Sequence, residues 1–73
     1  MKITKEKLQV NSSAIISMSY KFEKKTLLVK FIGGRKYVFN NVSTEIFFGL
    51  KHSESIGKFF NKMIKGNYEF ETL

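Results

Sequence analysis

Between Ile15 and Phe22 the chain alternates, with Ile16, Met18, Tyr20 and Phe22 on one side and Ser17, Ser19 and Lys21 on the other. That period of two predicts a half-buried strand. Glu23-Lys24-Lys25 is a polar break of turn length. From Thr26 to Ile32 the alternation resumes, Leu27, Val29 and Phe31 against Leu28 and Lys30, and predicts a second strand. Gly33-Gly34 follows, and glycine accepts the positive φ angles of a two-residue hairpin turn. Arg35 to Phe39 then predicts a third strand, Tyr37 and Phe39 sharing a side. The economical assembly is a three-stranded antiparallel meander.

After Phe39 the spacing of apolar residues lengthens. Asn40-Asn41-Val42-Ser43-Thr44 carries turn and cap chemistry, which puts Glu45 in the first turn of a helix, where its charge suits the positive dipole end. Ile46, Phe47 and Leu50 give that helix one apolar side, and it is expected to stop near His52. Ser53 can cap a second helix, with Glu54 in its first turn. There Ile56, Phe59, Phe60, Met63 and Ile64 fall at i, i+3, i+4, i+7 and i+8, the core stripe of an amphipathic helix. Lys58, Lys62 and Lys65 cluster roughly opposite the stripe at about 100° per residue. Gly66 stands where a C′ glycine belongs.

The expected fold is α+β: a three-stranded antiparallel meander followed by two helices packed on one sheet face. Tyr68 and Phe70 alternate with Glu69 and Glu71, compatible with a short C-terminal strand. Residues 1–11, with Lys2, Lys5 and Lys7 among Ile3, Leu8 and Val10, form either an N-terminal arm that touches a polyanion or an extra strand. Residues 12–73 make up the domain proper.

Composition narrows the function. The 73 residues hold 13 Lys plus Arg against 6 acids, all Glu, for a net charge of +7, with no Cys and a single His. There is thus no thiol nucleophile, no thiolate zinc site and no His-rich catalytic metal site within one chain. Asp is also absent, so a Ser-His-Asp arrangement is impossible, and no spacing pairs two Glu carboxylates. A non-enzymatic protein without metal or cofactor is expected. The charged start Met1-Lys2-Ile3-Thr4-Lys5 does not read as a secretory signal, and no apolar run approaches the ~20 residues of a membrane span, so the cytoplasm is the expected setting. A domain this short buries only about 60% of its unfolded surface, which leaves a homo-oligomer as an option.

The string Gly57-Lys58-Phe59-Phe60-Asn61-Lys62-Met63-Ile64-Lys65-Gly66-Asn67-Tyr68-Glu69-Phe70, with Ser12-Ser13-Ala14-Ile15 and Thr26-Leu27-Leu28-Val29-Lys30-Phe31 before it, resembles the KTSC domain family. That family is named for a C-terminal extension of some lysyl-tRNA synthetases and also occurs as free-standing small proteins. The resemblance runs from about Ser12 to Leu73. Ser43 stands where the family often has a proline, and Phe59 and Phe70 where tyrosines are common. The resemblance implies a binding module, with nucleic acid as the partner.

The leading expectation is therefore a small basic module that docks on nucleic acid, RNA ahead of DNA, through Lys and Arg contacts to phosphate. The candidate binding residues are Lys58, Lys62 and Lys65 as a helical row, Asn61 beside them, Arg35, Lys36 and Tyr37 after the hairpin turn, and Tyr68. Each has a plainer role: the row is a solvated face, Asn61 ties down the loop around Gly66, Tyr37 faces the core and Tyr68 anchors the chain end. Ser12-Ser13 and Gly57 read chiefly as backbone and packing residues. One alternative is a pocket protein that captures a small phosphorylated nucleotide, with an oligomer as a further option. Another is a protein-binding adaptor for an acidic partner.

Overall fold

In a computed structural model that describes residues 4–10 and 12–73, five strands form one antiparallel sheet in the order β1-β2-β3-β4-β5. They are β1 (Lys5–Gln9), β2 (Ile15–Lys21), β3 (Thr26–Phe31), β4 (Lys36–Phe39) and β5 (Phe70–Thr72). Helices α1 (Thr44–Lys51) and α2 (Ile56–Phe59), the latter running into a π turn (Phe60–Ile64), lie between β4 and β5 in sequence. The α+β class holds, but the meander is wider than three strands. At one edge the segment from Lys5 pairs with β2, Leu8 opposite Met18, and at the other Phe70 pairs with Phe39. Met1, Lys2, Ile3 and Asn11 of the 1–11 segment lie outside the described residues.

The apolar phase of the strands sets the core. Met18, Tyr20, Leu27, Val29 and Phe39 project to one face and meet Phe47, Leu50, Phe60 and Ile64 from the helical side. The Tyr20 and Phe47 rings stack with centroids 4.4 Å apart, and the Phe39 and Phe60 rings meet edge to face at 5.4 Å. The Tyr20 hydroxyl donates to the Val42 carbonyl, which ties the sheet to the loop that enters α1. Burial pushes its pKa above the ordinary value of 10.0.

One strand departs from simple alternation. Ile15 is buried and Ile16 is exposed, because a bulge lies between Ile15, opposite Phe31, and Ser17, opposite Lys30. The extra residue restores Ile15 to the core and expels Ile16. The hairpin between β3 and β4 also differs from the expected two-residue turn. The Phe31 N–H donates to the Arg35 carbonyl at 2.8 Å, so the loop is Ile32-Gly33-Gly34, with φ of 99° and 92° at the glycines.

Within the expected cap stretch Asn40–Thr44 the cap of α1 is Ser43, its Oγ accepting from the Ile46 N–H at 3.3 Å, and His52 closes the helix. The second helix needs three corrections. Its cap is Ser55, which accepts from the Lys58 N–H, while Ser53 folds back to donate to the Leu50 carbonyl. Glu54 therefore precedes the cap and is outside the first turn. The π turn changes the angle per residue, so Phe60 and Ile64 reach the core while Met63 is exposed. Lys65 has left the helix altogether, with φ −63° and ψ 124°. Gly66 follows at φ +83°, the left-handed position that glycine occupies without a Cβ clash.

Candidate nucleic-acid interface

With apolar residues turned to the helices, the alternate positions of each strand form the opposite face, which no described helix covers. The register sorts them into rows. Lys5, Lys21 and Thr26 make the first, and Lys7, Ser19, Leu28, Val38 and Glu71 the second. Gln9, Ser17, Lys30 and Lys36 make the third. Strands sit about 4.8 Å apart and alternate residues about 6.7 Å apart along a strand, so this face is a fixed lattice of attachment points. Five lysines stand on it with Glu71 as the facing acid. A depression of about 180 Å³ between its first and second rows is lined by Lys5, Ser19, Lys21, Thr26, Leu28, Val38 and Leu73.

The electrostatics of the face are unfavourable on their own. Lys5 lies directly opposite Lys21, and Lys30 directly opposite Lys36. Like charges so placed destabilise a strand pair, by up to about 1 kcal/mol each. The ion pair recorded among the described residues, Lys51 with Glu6, belongs to the other side, since Glu6 pairs with Tyr20 on the core phase. Here the chain has spent a carboxylate on the covered face and left the lysine face with little compensation.

Six of the eight residues singled out from sequence divide among three places, and Asn61 and Tyr68 lie in none of them. Lys36 is on the lysine face. Arg35, Tyr37 and Lys65 line one open groove of about 510 Å³ at the hairpin end of the sheet, together with Ser13, Ala14, Phe31 and Ile32. Lys58 and Lys62 flank a separate shallow hollow with Phe59 and Met63. The expected row of Lys58, Lys62 and Lys65 is thus not continuous, because the chain leaves the helix before Lys65. Asn61 is exposed, and the loop around Gly66 is held instead by Asn67, whose Nδ2 donates to the Lys62 and Met63 carbonyls at 3.3 and 3.1 Å. Tyr68 is half-buried and packs against the core, and Tyr37 is half-buried against Phe31 and Phe70. A Cβ on Gly57 would meet Ser12 Oγ at 3.5 Å, an ordinary contact, whereas one on Gly49 would meet the Phe59 ring at 3.0 Å.

Lys21 and Lys30 are members of the face that the sequence did not point to, and Lys5 and Lys7 were expected only as part of an N-terminal arm that touches a polyanion or of an extra strand. The signal was present: each occupies the polar phase of an alternating segment. What was missing was the cross-strand register that sets one beside another.

A five-stranded meander with its apolar face filled by two short helices and its other face set with lysines defines a small α+β domain. No described helix is long and apolar enough to cross a membrane. The KTSC domain model matches residues 11–68, and the chain belongs to the KTSC domain family. A lysine–tRNA ligase of Nostoc punctiforme is 35% identical over 66 residues, which are 90% of this chain and 12% of the ligase. The chain therefore spans only a small part of that relative. A protein of Tsukamurella paurometabola is 36% identical over 59 residues, 81% of this chain and 88% of its own length. The crystal structure of a KTSC domain protein from Yersinia pestis matches with a TM-score of 0.84 at 26% identity, covering 94% of this chain and 97% of that one.

Proposed function

We propose that this domain docks on nucleic acid without making or breaking a bond, and that the lysine face of the sheet is the docking surface. The observation that carries the proposal is the set Lys5, Lys7, Lys21, Lys30 and Lys36 on the face that no described helix covers, two pairs of which directly oppose each other. A polyanion turns that internal repulsion into attraction and releases its condensed counterions on binding. RNA is favoured over DNA because a similar segment forms part of a tRNA ligase. Contacts of this kind fix position and carry no base sequence, so selectivity among sequences is low.

The test is a titration of a fluorescent single-stranded RNA at several salt concentrations. Five lysine–phosphate contacts give a slope of log affinity against log salt of about −3.5, at roughly −0.7 per contact on a single strand. Affinity then falls on the order of a hundredfold between 50 and 200 mM salt. Replacing Lys5, Lys21, Lys30 and Lys36 together by Gln should bring the slope to about −0.7. A wild-type affinity that ignores salt, or a fourfold variant with an unchanged slope, would overturn the assignment.

A further inference from the structure

The groove at the hairpin end lies on the opposite side of the sheet from the lysine face and has a different chemistry. Its floor carries the Phe31 and Tyr37 rings, with centroids 5.2 Å apart and planes inclined at 59°. Both rings are half-buried, held by the core on one side and open to the groove on the other. Arg35, the only arginine in the chain, and Lys65, brought from just beyond the π turn, line the groove as well. Ser13 adds a hydroxyl, and no carboxylate is among the lining residues. Aromatic rings beside two cationic residues from separate elements suit a ligand that is aromatic at one end and anionic at the other.

We infer that this groove takes one unstacked nucleotide, its base against Phe31 and Tyr37 and its phosphate between Arg35 and Lys65. Arg forms bidentate hydrogen bonds to phosphate, and Lys adds a mobile point charge. A volume of about 510 Å³ is in the usual range for ligand sites. The inference rests on the docking proposed above and adds to it a preference for single strands, since bases inside a duplex are stacked on one another and cannot enter. Lys30 and Lys36 stand at the same end of the sheet as the groove, next to the turn that carries Arg35. A single strand that crosses the lysine face can turn the hairpin tip and place one base there.

The experiment measures binding of a single-stranded RNA and of a duplex of equal length to the wild type and to Arg35→Gln/Lys65→Gln. A second variant, Tyr37→Leu, removes the ring while its thermal stability is checked alongside. The wild type should prefer the single strand by roughly tenfold, within what one stacked base contributes. Both variants should lose that preference while still binding both RNAs with a clear salt dependence. Excess 5′-AMP should erode the wild-type preference by competing for the groove. Equal wild-type affinity for single strand and duplex overturns the groove and leaves lysine-face docking standing, whereas failure to bind either RNA overturns both. Tight, stoichiometric binding of 5′-AMP with no gain on lengthening to an oligonucleotide overturns the strand assignment in favour of captured free nucleotide.

Discussion

Lys30→Glu should make the free protein more stable and the bound state weaker. Lys30 is on the central strand, near its hairpin end, opposite Lys36 on β4 and Ser17 on β2. Two ammonium groups about 5 Å apart repel by somewhat under 1 kcal/mol even at the dielectric constant of water. Both side chains are exposed and can splay apart, so the mutational range of about 0.2–1 kcal/mol for a directly opposed pair is the better guide. Reversing one charge removes the repulsion and adds an attraction. After allowance for screening at an exposed site, the net gain is about 0.5–1 kcal/mol at low salt. For a domain of this size that raises Tm by roughly 2–8 °C.

Thermal unfolding followed by circular dichroism at 10–20 mM salt reads the effect, with Lys30→Gln expected to give about half of it. Near 1 M salt, where the screening length is about 3 Å, wild type and variant should converge. The same variant should bind single-stranded RNA at least tenfold more weakly at low salt, with the slope reduced by about 0.7 or more. Opposite signs in the two assays are what distinguish charges held for a partner from charges that are merely tolerated. A variant that is less stable than wild type at low salt, or a difference that persists unchanged at 1 M, would refute the reasoning.

Four other outcomes can be checked directly. Tyr20→Phe strands the buried Val42 carbonyl without its donor, so it should cost about 1–2 kcal/mol and lower Tm by roughly 5–15 °C, measured by urea or thermal unfolding. Because the folded pKa of Tyr20 is raised, the stability tied to it is complete below about pH 10 and is lost as pH climbs from there through the folded pKa; the alkaline decline of Tm should be shallower in Tyr20→Phe. Asn67→Ala leaves the Lys62 and Met63 carbonyls without the amide that caps them, and about 1 kcal/mol of stability should go with it in urea unfolding. Gly57→Ala should be neutral or slightly stabilising, while Gly66→Ala, at φ +83°, should cost about 1 kcal/mol or more; equal effects at the two sites would contradict the backbone argument.

Much of the fold was legible because the strands are half-buried. Alternation is strong when one face meets a core and the other water, and β2, β3 and β4 meet that condition. The edge strands are short or mostly exposed, so β1 and β5 carry less apolar signal, and the sequence offered the first only as an option and the second only as a short C-terminal strand. The bulge at Ile16 was invisible because Ile15 and Ile16 are equally apolar, and only the partner strand decides which enters the core. The π turn defeated the helical wheel for a related reason. A wheel assumes one angle throughout, and five residues of wider turn are enough to expose Met63 and to end the helix before Lys65.

The same geometry explains why the candidate site moved from the helix to the sheet. A row of lysines on a helix is easy to see because its members are three or four residues apart in one short segment. A row across a sheet joins residues as distant in sequence as Lys5 and Lys21, or as Lys7 and Glu71, and no local window contains it. Yet the sheet is the better platform for fixed charges. The backbone positions of Lys21, Lys30 and Lys36 are set by neighbouring strands on both sides, whereas Lys58 lies on a single helical turn and Lys62 in the π turn behind it. Opposed cations whose backbone register the sheet fixes keep some mutual repulsion, even where the exposed side chains splay, until something anionic arrives. That makes cross-strand register, together with the polar phase of each strand, the information a search for such faces in similar small basic domains would need.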